Sequence, residues 1–176
     1  MGEFWPVADV LAHLAGRWRV ERTVRDLASG DEGRFTGTAV FNTLAGDTEG
    51  GSPAGSDFEG GDPAGSDFEG GDRGGEGLLH HESGRFVWRG ASRPAERTLR
   101  FLPGSVPGTA EVRFADGRPF HDLDLRSGRY VAGHPCAADL YQGEFTVRDA
   151  DHWRVVWRVR GPAKDLVLTT DYVREA

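Results

Sequence analysis

The residues best suited to chemistry lie close together in the sequence: His121, Asp124, His134, Cys136, Asp139 and Tyr141. An imidazole titrates near neutral pH, so His121 and His134 are natural acid–base groups, with Asp139 or Tyr141 to orient a ring or share its proton. A desolvated setting would tune their pKa values further. His121, His134, Cys136 and Asp139 also belong to the residue types that ligate zinc or iron, but no recognised zinc spacing joins them. The expectation is therefore no bound metal and no cofactor. Cys136, two residues from His134, is a candidate nucleophile by the same logic. A plainer reading competes with all of these. It takes His134-Pro-Cys-Ala-Ala-Asp139 as a turn, with Asp139 accepting backbone hydrogen bonds and Cys136 as a small buried residue.

Three further residues are candidates for holding a ligand: Arg22, Trp157 and Lys164. Arg22 interrupts the apolar face formed by Trp18, Val20 and Val24, so it either pairs with a buried acid or meets a ligand carboxylate. Trp157 offers a ring for stacking, although Trp18, Trp153 and Trp157 read first as core. Lys164, with Arg158 and Arg160 near the Gly161-Pro162 turn, forms either an anion patch or a solvated strand face.

The elements that must position these residues are mostly strands. One helix is signalled near the start, where Val7, Val10, Leu11 and Leu14 share a face, Pro6 stands near the first helical position and Gly16 follows as a stop. Everything after it alternates. Trp153, Val155, Trp157 and Val159 give the cleanest period of two. Strands are expected over 17–26, 34–41, 77–82, 85–91, 96–102, 109–115, 118–125, 138–148, 151–160 and 165–174. Turns are expected at Ser83-Gly84, Pro103-Gly104, Asp116-Gly117, Ser127-Gly128 and Gly161-Pro162. About ten antiparallel strands joined by short turns suggest a meander closed into a barrel, with a sandwich as the alternative. The helix then caps one mouth or packs on the side. Alternation leaves open whether His121 or Phe120 points inward.

Charge and glycine are concentrated in one segment. The chain has 176 residues, a formal charge of -7 and 26 glycines. Residues 46–76 hold two copies of a ten-residue repeat and a broken third, with nine acidic residues against Arg73 alone. The rest is nearly neutral. This segment is expected to be a disordered solvated loop inserted in a single domain spanning 1–176. Calcium binding fits poorly, because the period is wrong and proline interrupts each unit. A lone cysteine excludes a disulfide framework. The acidic balance argues against nucleic acid as a partner, and no apolar stretch is long enough for a membrane span or a leader. The expectation is a cytoplasmic monomer or homodimer whose partner is a small molecule.

Several stretches resemble a known family. Leu14-Ala-Gly-Arg-Trp18 is similar to the Gly-x-Trp signature that opens lipocalins and other calycins, whose Trp packs at the closed end of the barrel. Val112 to Asp124, His134-Pro-Cys-Ala-Ala-Asp-Leu-Tyr141, Trp153 to Asp165 and Thr170-Asp-Tyr-Val-Arg174 together resemble an uncharacterised lipocalin-like domain-of-unknown-function family, number 6314. The resemblance covers nearly all the chain except the insert. It implies an all-β, calycin-like barrel with one short N-terminal helix, and no known reaction.

Three functions follow as expectations. The first is a barrel holding an apolar or amphipathic small molecule. The second is a cofactor-independent isomerase, cyclase or hydratase using His121, His134, Asp139 and Tyr141. The third is a haem-binding, nitrobindin-like barrel, whose haem-ligand histidine pattern is not seen near this C-terminus.

Overall fold

A computed structural model describes residues 4–44 and 77–176. One short helix, α1 (Val10–Leu14), precedes ten strands. They are β1 (Gly16–Asp26), β2 (Glu32–Thr43), β3 (Leu78–Trp88), β4 (Ala91–Pro103), β5 (Ala110–Phe114), β6 (Pro119–Leu123), β7 (Arg129–Cys136), β8 (Asp139–Asp149), β9 (His152–Gly161) and β10 (Lys164–Arg174). All ten belong to one antiparallel sheet in the order β6-β5-β4-β3-β2-β1-β10-β9-β8-β7, so no sandwich forms. The first and last strands pair with each other, and the meander wraps into a nearly closed barrel. β6 and β7 come together without a shared ladder, which leaves one seam.

The period-two pattern fixes which face turns inward. Trp153, Val155, Trp157 and Val159 are buried in β9, and Trp18 and Val20 continue the same core in β1. At two places local chemistry overrides the expected boundaries. Ser83-Gly84 is not a turn but lies inside β3, where Gly84 stands opposite Gly37 of β2. A Cβ on either glycine would lie 2.2 Å from a backbone oxygen of the facing strand. Glycine here permits a close strand approach, so the expected strands 77–82 and 85–91 are one. Conversely, β7 has no counterpart among the expected strands, because Gly133 and Pro135 blur its alternation. The helix is also shorter than expected. It begins beyond Pro6, at Asp9, whose side chain accepts from the Ala12 amide at 2.9 Å.

One end of the barrel is capped. The amides of Trp5 and Val7 donate to the carbonyls of Val147 and Leu125 (2.9 and 3.0 Å), and Val10 donates to Gly108 at 3.0 Å. These bonds carry the N-terminal segment across the base of the seam. Trp18 is fully buried beneath α1 and donates its indole N–H to the Leu14 carbonyl at 2.8 Å. The Arg174 guanidinium covers its ring at 4.1 Å. His13 is half-buried beside Trp18. Among the described residues no helix is long and apolar enough to cross a membrane.

The connection between β2 and β3 leaves from this capped end, and the 46–76 repeat lies outside the described residues. Its anchors are well defined: the Leu44 amide donates to the Gly77 carbonyl at 2.8 Å. Deleting 46–76 and closing the gap with a short turn is therefore expected to preserve a cooperative thermal melt, read by circular dichroism. A broad, non-cooperative melt would show that the segment is needed for the fold.

Candidate functional site

The uncapped end opens between five hairpins, and its interior has two halves. The first half is set by β10, β1, β2, β3 and β4. Arg22 of β1 reaches across β2 to Glu82 of β3 and grips it through both terminal nitrogens, Nη1 to Oε1 at 2.7 Å and Nη2 to Oε2 at 2.9 Å. Its Nε donates to Thr170 Oγ1 at 2.7 Å. Tyr172 donates its hydroxyl to Glu82 Oε2 at 3.3 Å. Arg97 of β4 approaches the same oxygen at 3.8 Å, too far for a hydrogen bond. Burial alone would raise the Glu82 pKa, but the Arg22 bonds and the Arg97 charge outweigh it and hold the carboxylate below its usual range. Burial pushes Tyr172 up to about 12 and His80 down to about 3, so both are neutral at pH 7. His80 is wedged against Phe41 and Phe101, and its Nδ1 has no partner. Beside this network lies a cavity of about 230 Å³, lined by Val24, Phe35, Phe86, Ala95 and Leu168 with the two arginines, Glu82 and Glu96.

The second half is aromatic. The pairing of β5 with β6 slips between Val112 and Arg113, so Val112 faces His121 and Arg113 faces Pro119, leaving Phe120 as the extra residue. Such a bulge lets neighbouring side chains share a face. Phe120 stacks on Trp157 at 5.3 Å and His121 lies 5.4 Å from the same indole. Both phases of β6 therefore turn inward here. His134 of β7 meets Phe120 edge-on at 5.1 Å, and Tyr141 of β8 stands opposite it at 6.1 Å. Gly143 makes room for Trp157: a Cβ there would lie 2.8 Å from the indole. His121 is pushed down to about 4, chiefly by burial, although its Nδ1 lies 2.8 Å from the Asp122 carbonyl. That carbonyl only accepts, so Nδ1 carries the proton and Nε2 is the free lone pair.

The candidates from the sequence are thus divided. His121, His134, Tyr141 and Trp157 meet around Phe120. Asp139 and Lys164 pair with each other at 2.9 Å on the rim. Arg22 is engaged with Glu82 in the other half. Asp124 forms a local pair with Arg126, and Cys136 is exposed at a hairpin end. Arg158 approaches Asp165 at 3.5 Å, so two of the three expected patch residues, Arg158 and Lys164, already face an acid. No group of three or more His, Cys, Asp or Glu residues able to hold a metal occurs among the described residues. Glu82, Arg97, Thr170 and Tyr172 were not identified from the sequence. The one available signal was Arg22, whose place on an apolar face required a partner.

Comparison with known proteins places residues 14–174 in the match to a family of unknown function, DUF6314. No curated protein matches the chain. Among solved structures it is similar to the S-type phycobiliprotein lyase CPES from Guillardia theta, at 12% identity and a TM-score of 0.61, over 94% of this chain and 90% of that one. Two barrels bound to DFHBI are also similar. EF1p2_mFAP2b has 13% identity and a TM-score of 0.43, over 96% of this chain and 99% of that one. The redesigned barrel mFAP0 has 13% identity and the same TM-score, over 92% and 99%. At these identities the likeness concerns the fold.

Proposed function

The chain belongs to that family of unknown function, and on this footing we propose that it is a binding barrel, holding a small apolar or amphipathic molecule in its open mouth. The observation that carries this reading is the cavity of about 230 Å³ between Phe35, Phe86 and Leu168, which Arg22 and Arg97 also line. Concave, mostly apolar space with a few convergent polar groups is the ordinary form of a ligand site.

His121 supports binding over catalysis. A base with a pKa of about 4 is poorly matched to proton abstraction at neutral pH. It suits a different task, since a neutral ring with a free Nε2 accepts a hydrogen bond from a ligand hydroxyl or amide. His134 and Tyr141 complete the aromatic wall in this reading, and Lys164 and Asp139 close its rim.

Native mass spectrometry of the freshly purified protein is expected to show a bound small molecule. Isothermal calorimetry with the neutral aromatic ketone 2-acetylnaphthalene is expected to show saturable binding at one site. A bare mass together with no heat of binding would sink the proposal.

A further inference from the structure

We infer that Arg97 receives the carboxylate of the ligand, so that the barrel selects an apolar or aromatic monocarboxylic acid. The inference rests on the binding reading above and adds the ligand's head group.

It follows from counting donors and charges. Arg22 uses Nε on Thr170 and both terminal nitrogens on Glu82. Glu82 in turn accepts from Arg22 twice and from Tyr172 once. Those hydrogen bonds are closed among themselves, and Arg97 joins them only through a 3.8 Å ionic contact with Glu82. Arg97 faces inward, because it stands opposite Glu82 in the β3–β4 register and two residues from the buried Leu99. Its nearest acid oxygen is 3.8 Å away, and its side chain is 41% exposed. It is therefore reachable from the mouth and makes no hydrogen bond among the described residues.

The charges inside the barrel do not balance. Arg22 and Arg97 are cationic and Glu82 is anionic, while His80 and Tyr172 are neutral. Glu96 also borders the cavity, but it is exposed on the outward phase of β4, where water screens its charge. One positive charge thus faces the cavity, where a second anion would be attracted without displacing a hydrogen-bonded partner. A guanidinium offers a planar fork that matches a carboxylate through two parallel bonds. Phe86 of the adjacent β3 and Phe35 of β2 beyond it give the ligand body its apolar surface. A monocarboxylate neutralises the site; a dianion would carry an uncompensated charge into it.

The test compares 2-naphthoate with 2-acetylnaphthalene, which share one ring system and differ in charge, by calorimetry on the full chain. The wild type is expected to bind the acid at least about 10-fold more tightly, in the range of hydrogen bonds to charged groups. Arg97→Gln should weaken 2-naphthoate by about 10–100-fold and leave 2-acetylnaphthalene within about 2-fold, and Arg97→Lys should recover part of the loss. Circular dichroism confirms that the variants are folded. Equal binding of the two probes by the wild type, or equal weakening of both by Arg97→Gln, would overturn the inference and leave the binding barrel standing. No binding of either probe overturns the inference, and together with a bare mass by native mass spectrometry it removes the binding barrel as well.

Discussion

Replacing Glu82 by leucine is expected to cost the fold about 3–5 kcal/mol, which urea denaturation would register as a large fall in midpoint. The reason lies in what remains. Glu82 is 2% exposed and Arg22 is largely buried beside it, so removing the carboxylate strands a guanidinium with only Thr170 to satisfy it. Tyr172 loses its acceptor as well. Arg97 cannot compensate, because it is a second cation. The companion experiment replaces both members at once. In Arg22→Met/Glu82→Leu no buried charge is left unpaired, since Arg97 is part-exposed to water, and stability should return to within about 1–2 kcal/mol of the wild type. If the double variant is no more stable than Glu82→Leu alone, the pair is not the source of the loss.

Acidification is expected to act nearly as strongly, through two histidines. His80 is held down to about 3 and His121 to about 4, in both cases chiefly by burial. In the unfolded chain an ordinary histidine takes up its proton near pH 6.5. Between that value and the folded pKa the unfolded state binds more protons, so stability falls as pH falls. Each histidine contributes a slope of about 1.4 kcal/mol per pH unit, and both act together between pH 6 and 4. Glu82 adds to this only at lower pH, because its folded pKa is depressed and its stabilisation is lost below the ordinary carboxylate range. Urea midpoints measured from pH 7.5 to pH 4.5 should show the decline. In His80→Leu the slope should drop by about half, since an apolar side chain replaces an imidazole whose Nδ1 lacks a partner. An unchanged slope in that variant would mean that His80 is not the sensor.

The barrel itself was readable from the sequence because alternation and turn residues are local signals. Trp153 to Val159 announces a buried strand face by itself, and four of the five expected glycine turns join strands. The errors arose where one residue type serves two purposes. Gly84 resembles a turn glycine, yet it is a mid-strand glycine made necessary by Gly37 on the next strand. Gly133 and Pro135 concealed β7 for the same reason. The site was less accessible. Arg22 could be recognised as an intruder on an apolar face, but its partner lies two strands away, and only the register of β1, β2 and β3 brings Glu82 under it. The phase of His121 had no answer in alternation, because the bulge beside it turns two consecutive side chains inward. Arg97 carries no mark at all. It is one of several arginines on β4, and its importance comes from the acid oxygen it fails to reach.

Pairing between β1 and β10 also bears on the order in which the molecule assembles. Arg17 and Glu175, joined by a bond of 2.7 Å, are 158 positions apart in the chain. Contacts this distant form late, because the entropy of closing a long loop precedes any gain from the pairing. Thr170 and Tyr172, which complete the Arg22–Glu82 network, arrive on that last strand. Until β10 docks, the two opposed charges remain open to water and lack their final hydrogen bonds. The closing strand therefore converts a hydrated ion pair into a buried one, and an incomplete barrel has little reason to persist. Closure of the chain thus completes the Arg22–Glu82 network, two of whose members also line the cavity.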